Sequence, residues 1–253
     1  MTIAHARLRA GIAMPTTLVL AAVATLIALG TWQIQRKAWK EALIETLDQR
    51  LSAAPTPLPP RASWGGLQKL QDEFRHVRFS AQLLPETEAF VFTSGSGLRS
   101  DVTGPGYWVF ALARSADGSL LAINRGFVPQ DRKEAIARSM NQAGGPIDMI
   151  GVMRWPEPRS YFSPHGDAGR NLWFVRDHLA IAAARGWHQR GGELAPFFID
   201  LEAPIPPGGW PRPGVLKANL RNEHLQYAIT WYGLAVVLII MFAVWIWGRG
   251  HAA

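Results

Sequence analysis

Cysteine is absent from the 253 residues, which excludes disulfides, thiolate-held iron–sulfur clusters and thiol redox chemistry while leaving the compartment open. Catalytic signatures are equally scarce. Ser94-Gly95-Ser96-Gly97 lacks the Gly-x-Ser-x-Gly spacing of a nucleophile elbow and reads as a flexible loop. Gly104-Pro105-Gly106 lacks the third glycine of a dinucleotide loop, and its proline removes a phosphate-facing N–H. None of the seven histidines is paired at the short spacing that a zinc site uses. His165 and Asp167 flank Gly166 in a turn, His76 reads as a strand residue, and His178 and His188 lie in or beside a short helix. Asp72-Glu73 and Glu86/Glu88 are sparse surface charges, so no acid–base pair stands out and no enzymatic activity is expected. The net charge of +7 comes without a Lys/Arg-rich stripe or a recognition motif, which argues against nucleic acid. It points instead to lipid headgroups or carboxylates.

What the chain does have is two long apolar runs, one near each end. Residues 10–32 carry no charge, about 23 positions, enough to cross a hydrocarbon core of roughly 30 Å. Pro15 is tolerated near the start of such a helix. The rival for this run is a cleaved signal peptide, with Arg7 and Arg9 as the basic region and Ala28-Leu29-Gly30 as the cleavage site. The second run, Tyr227 to Gly248, is about 22 uncharged residues and stops at Arg249. Trp32 to Leu51 continues the first helix in amphipathic form, with Trp32, Arg36 and Trp39 on one face. Together with Lys37 and Lys40 they make an interfacial belt of rings and cations, implying a lipid bilayer as partner. The run from Ala54 to Pro60 stops that helix and reads as a stiff, extended linker.

The middle of the chain, about 190 residues, is long enough for one domain with its own core and carries mostly strand signal. Val77, Phe79, Ala81 and Leu83 alternate with polar residues. Glu88–Thr93 is a second strand, and Tyr107–Arg114 and Ser119–Val128 form a hairpin around Asp117-Gly118. Asp148–Arg154, Asn171–Val175 and Phe197–Leu201 complete the set. Asp177 is positioned to cap a short helix through Arg185 that Gly186 ends. The expected fold class is two transmembrane α-helices flanking a β-rich α+β extramembrane domain, a small barrel or a sandwich. Its divisions are a tail 1–9, a span 10–32, an interfacial helix and linker 33–60, the domain 61–223, a span 224–248 and a tail 249–253.

Two places draw attention as sites. His224 lies within one turn of the second span, so its imidazole belongs at the water–lipid boundary above Tyr227 and Trp231. Left to itself such a histidine bonds lipid or backbone, but a neutral imidazole there is also a metal ligand in waiting. Asn124-Arg125-Gly126-Phe127-Val128-Pro129 closes the hairpin with a bidentate cation. It could hold a ligand's carboxylate or one of the protein's own.

Three segments taken together resemble one family. Gly30-Thr31-Trp32-Gln33-Ile34-Gln35-Arg36-Lys37-Ala38-Trp39-Lys40, Asn124 to Pro129, and His224-Leu225-Gln226-Tyr227-Ala228-Ile229-Thr230-Trp231-Tyr232 occur in this order in a chain similar to the Surfeit-locus cytochrome c oxidase assembly family. The resemblance implies an uncleaved first span and a factor that helps place haem a in subunit I of the haem-copper oxidase. Haem a would be held transiently, with His224 as the haem-iron ligand and Tyr227 and Trp231 beside it. Trp32, Arg36, Asn124, Arg125 and Gly126 are the candidate partner-contact residues. Subunit I is the expected partner and haem a synthase a further one. The alternative is a cofactor-free scaffold that holds oxidase subunits. The haem reading has its own logic: Ala228, Trp231 and Ala235 would line an apolar groove, while Arg36, Lys37, Lys40, Lys217 and Arg221 would meet the propionates at its wet edge. The expected location is the bacterial inner membrane with the domain on the periplasmic side. The cations flanking the domain argue the other way on a naive positive-inside count, but a domain this long crosses largely regardless of its charge.

Overall fold

The computed structural model describes residues 2–134, 144–217 and 222–251, with side chains described over the same stretches except at residues 2–11, 250 and 251. The chain forms two compact units, one made of Met1–Glu45 and Arg221–Ala253, the other of Thr46–Leu220. The first is the anchor unit. It contains most of helix α1 (Thr2–Ser52) and, near the other end of the chain, a helix spanning His224–His251. Both helices are long and apolar enough to cross a membrane. Their apolar side chains, among them Leu18, Leu20, Ile229, Val236 and Ile240, are turned outward. That is the pattern of a helix whose solvent is lipid rather than a protein core.

The second unit is built on strands β1 (Thr56–Pro57), β2 (His76–Leu83), β3 (Ala89–Gly95), β4 (Thr103–Ser115), β5 (Leu120–Pro129), β6 (Ile147–Arg154), β7 (Leu172–Trp173) and β8 (Leu194–Ala203). Hydrogen bonding runs β1-β2-β6-β8-β5-β4-β3-β7, and β2 also pairs with β4. That last pairing closes β2, β6, β8, β5 and β4 into a five-stranded barrel, which decides between the two expected architectures. All pairings in the ring are antiparallel except β5 with β8, which run parallel. Parallel neighbours need a long crossover, and residues 130–193 supply it.

One core cluster draws on all five ring strands: Val77 and Ala81, Ala113, Leu121 and Ile123, Met149 and Met153, then Phe197 and Ile199. These fill the barrel, with Trp64 edge-on to Phe197 at 5.6 Å. The residues between them, including Phe110, Leu112, Leu120, Ala122 and Phe198, face outward but are buried again, under β3 and helix α3 (His178–Arg185). Strands covered on both faces read as continuous apolar runs, and this is the reason β4 and β5 show little alternation. A short helix α2 (Lys69–Asp72) precedes β2, and the remaining helix, His224–His251, is α4.

The turn and the cap form as their residues dictate. The Asp117 carboxylate accepts from the Ser119 N–H at 3.0 Å in the β4–β5 turn, and Gly118 sits at φ 82°. Asp177 accepts from the N–H groups of Leu179 and Ala180 to start α3, and Gly186 ends it at φ 67°. The proline run behaves differently from a spacer. Thr56-Pro57 pairs in parallel with β2, and Leu58 N–H donates to Arg78 O at 3.1 Å. The edge position is what makes this possible, because a proline there withholds no donor that the ladder needs. The barrel unit, Thr46–Leu220, includes this run. Leu47 and Leu51 at the end of α1 pack with Val152 and Leu216.

Candidate functional site

In the anchor unit, α1 and α4 meet through a few polar and small residues. His224 Nδ1 lies 2.7 Å from Gln33 Oε1. An amide oxygen only accepts, so Nδ1 carries the proton, and in the neutral ring the lone pair is on Nε2. Further along α4, the Tyr232 hydroxyl is 3.0 Å from Thr31 Oγ1. Thr31 already donates to Ile27 O at 2.9 Å, so Tyr232 is the donor. Gly30 lets that ring approach: a Cβ at residue 30 would stand 2.8 Å from it. Small residues at such crossings are how helices approach closely without a hydrophobic driving force. His224, Ala228, Trp231 and Ala235 follow one stripe of α4, at i, i+4, i+7 and i+11. Ala228 and Ala235 are buried and Trp231 half-buried, whereas Tyr227 is exposed. The two alanine positions are therefore filled rather than forming an open groove. Apolar surface near His224 comes from Tyr227, Trp231 and the exposed Leu225.

On α1, Trp32 and Trp39 are exposed, and the Arg36 guanidinium stacks 4.0 Å from the Trp39 ring centre. Lys37 pairs with Glu41 at 2.7 Å. Of the other cations expected at this level, Lys217 is an exposed residue of the barrel unit and Arg221 lies outside the described residues.

In the barrel unit, the segment Asn124–Gly126 does internal work. Asn124 Nδ2 donates to Asp200 Oδ1 at 2.6 Å, across the β5–β8 register that pairs these two residues. Asp200 is buried, and its other oxygen takes Arg154 Nη1 at 3.1 Å and Arg176 Nη1 at 3.3 Å. Arg176 also binds Glu157, and Arg154 reaches Glu73 at 3.4 Å. Burial pushes the Arg176 guanidinium down, but Asp200 and Glu157 outweigh it and hold the group above the ordinary arginine value. Gly126 is at φ 121°, and a Cβ there would meet Arg212 O at 2.1 Å, because Phe127 and Arg212 exchange both backbone hydrogen bonds. Burial lowers Arg125 from the ordinary value, with Glu88 as the opposing charge. Burial likewise raises Glu88, although its backbone hydrogen bond, Arg125 and Arg185 pull it down. The charge that Arg125 feels is thus one of the protein's own.

A cleft of about 260 Å³ opens beside this network, lined by Phe92, Thr93, Ser96, Trp108, Glu157, Phe174 and Arg176 among others. Its two titratable residues, Glu157 and Arg176, are bonded to each other. Among the described residues, no three of His, Cys, Asp and Glu converge to hold a metal ion. His76 is anchored instead, Nδ1 on Ala53 O at 2.8 Å and Nε2 facing Glu202 at 2.9 Å.

A family model described as the SURF1 family matches residues 20–236, most of the chain. The chain belongs to the SURF1 family. It is 36% identical to Surfeit locus protein 1 of Homo sapiens over 222 residues, covering 83% of this chain and 70% of that protein. It is 35% identical to the Rattus norvegicus protein of the same name over 221 residues, 83% and 69% of the two chains. With that of Takifugu rubripes the identity is 32% over 233 residues, 87% and 91%. The SURF1 match takes in the barrel and part of each anchor helix, so it contains Gln33, Asn124, Asp200 and His224 alike.

Gln33 and Asp200 bond the candidate residues His224 and Asn124, and motif reasoning gives neither of them a role. An amide at the end of an apolar run is nonetheless a signal, since a polar group there wants a partner. Asp200 carries a stronger one: a lone carboxylate inside Phe197-Phe198-Ile199-Asp200-Leu201 has to find cations.

Proposed function

We propose that this membrane protein is a non-enzymatic assembly factor for cytochrome c oxidase that assists haem a insertion into subunit I, with His224 as a transient iron ligand. The observation that supports this most directly is the state of the imidazole. Gln33 engages Nδ1 and fixes the tautomer, which leaves the Nε2 lone pair as the ligating atom, the usual outer-shell arrangement for a metal-bound histidine. Tyr227, Trp231 and Leu225 supply apolar surface for a hydrophobic tetrapyrrole with a farnesyl tail, and Arg36 a cation suited to its propionates. Haem a, when bound, supplies the iron that this nitrogen would coordinate; the chain's own part is to orient the imidazole, shield one side of the ring and release it. The membrane is the bacterial inner membrane and the barrel unit faces the periplasm. Subunit I is the recipient, and haem a synthase the candidate donor by the same chemistry.

Co-expression with the haem a synthesis enzymes, purification and a reduced-minus-oxidised spectrum test the reading. Wild-type protein carries haem a, and His224→Ala loses it together with oxidase assembly. Full haem occupancy and full assembly in His224→Ala would sink the ligand assignment. The same preparation separates the alternative, a cofactor-free scaffold, which retains pulldown of subunit I but carries no haem in the wild type. A reporter fused after Ala253 is active only in the cytoplasm if the orientation is right.

A further inference from the structure

The segment between β6 and β7 carries Tyr161 and Phe162, 95% and 88% exposed, set edge to face with ring centres 5.3 Å apart. Other large apolar residues exposed on the barrel unit, such as Leu70 and Ile205, stand singly. Two adjacent aromatics left wholly in water are a liability unless something covers them. The loop around them is not slack. Pro156, Pro158 and Pro164 limit its freedom. Arg159 donates from Nε and Nη2 to Ser163 O at 3.2 and 2.9 Å, folding the tip over.

The charge around the tip decides what kind of surface it fits. Arg159 Nη1 lies 2.7 Å from His165 Nδ1, and since a guanidinium only donates, it holds that imidazole as acceptor. The loop's carboxylates are engaged elsewhere: Glu157 with Arg176, and Asp167 with the backbone N–H and guanidinium of Arg170. The tip thus offers two rings beside an exposed guanidinium that is held by neutral acceptors. Rings at the acyl boundary and a cation at phosphate level are what a bilayer interface accepts. The chain also carries two helices of membrane length, so a bilayer is tethered to this loop at high effective concentration.

We infer that the Tyr161-Phe162 tip is a membrane-contact finger that inserts into the headgroup region of an anionic bilayer. This rests on the membrane reading of α1 and α4. Because the chain lacks cysteine, single-cysteine labelling is clean. The full chain is reconstituted into phosphatidylcholine nanodiscs with or without phosphatidylglycerol, carrying an NBD label at Phe162→Cys, at the exposed hairpin position Ala116→Cys, or at Ile240→Cys in α4. The label at 162 is expected to shift to the blue and to be quenched by doxyl lipids, more with phosphatidylglycerol and less in high salt, while that at 116 stays water-like. With the reporter moved to Ser160→Cys, Tyr161→Ser with Phe162→Ser lowers the inserted population about tenfold or more, from the apolar surface removed. A water-like signal at 162 while 240 is quenched overturns the finger alone. A blue shift at 162 without doxyl quenching overturns it in favour of a protein contact. Absence of quenching at 240 overturns the membrane reading and the finger with it.

Discussion

His178 sits fully buried at the start of α3, Nε2 donating to Ala195 O at 3.0 Å and its ring 5.7 Å from Phe198. Burial pushes its imidazole down to about 4, against the smaller pull of the Ala195 carbonyl and Asp177. The unfolded chain binds that proton near pH 6.5 and the folded chain only near 4. Stability from this group is therefore complete above about pH 6.5 and falls as pH drops toward 4, by about 3 kcal/mol in all. Urea unfolding of the solubilised chain followed by tryptophan fluorescence should show this slope in the wild type and a shallower one in His178→Leu. An equal slope in the two proteins assigns the dependence to other groups. Gly126 is a second position where one side chain decides. Its φ of 121° and the 2.1 Å gap to Arg212 O leave no room for a methyl group. Gly126→Ala should cost about 3 kcal/mol or more, lowering the barrel's melting temperature by roughly 6–12 °C. An unchanged melting temperature would mean that the 212 segment is free to step aside.

At the scale of elements, α1 and α4 are held by specific atoms rather than by a broad apolar seam, because the lipid-facing side chains gain nothing by meeting. Gln33 is the atom-level link to His224, and its removal has a signature separate from haem. In Gln33→Leu the imidazole loses the acceptor that keeps the proton on Nδ1. Nitrogen-15 shifts of the labelled His224 ring should report a single tautomer, Nδ1–H with bare Nε2, in the wild type and a tautomer mixture in the variant. A mixture in both proteins would remove the basis for Nε2 as a preset ligand. Elements whose signals are local are legible in the amino-acid sequence by themselves. The Asp177 cap, the Gly186 stop and the Asp117-Gly118 turn each act within a few residues, so a short window of chain contains the whole cause. The proline run is illegible for the opposite reason: whether Thr56-Pro57 is spacer or edge strand depends on β2, some twenty residues away.

For the whole barrel the decisive contacts are between residues far apart in the chain, and there local pattern is silent. Alternation in Val77–Leu83 announces a strand with one buried face, but not that this strand meets both β6 and β4 and so closes the ring. The same distance hides the buried charge network, whose members Asn124, Arg154, Arg176 and Asp200 come from β5, β6, the approach to α3 and β8. Asp200 is its hub, and it ties the parallel β5–β8 contact to the crossover that makes that contact possible. Asp200→Ala removes the buried carboxylate that Arg154 and Arg176 share and leaves them to the more exposed Glu73 and Glu157, a loss of about 3–5 kcal/mol for a buried pair. Against a typical total of roughly 5–15 kcal/mol, that brings the barrel close to unfolding while leaving α1 and α4 helical. Asp200→Asn keeps an acceptor for Arg154 or Arg176 and should fall between the variant and the wild type. Arg61→Ala removes an exposed pair with Glu193, 2.6 Å long, and should cost less than about 1 kcal/mol. Protease susceptibility of the membrane-reconstituted chain ranks the four proteins. The expected order of resistance is wild type and Arg61→Ala together, then Asp200→Asn, then Asp200→Ala. Equal resistance of Asp200→Ala and Arg61→Ala would show that closure of the barrel, and not the charge it encloses, holds β5 and β8 side by side.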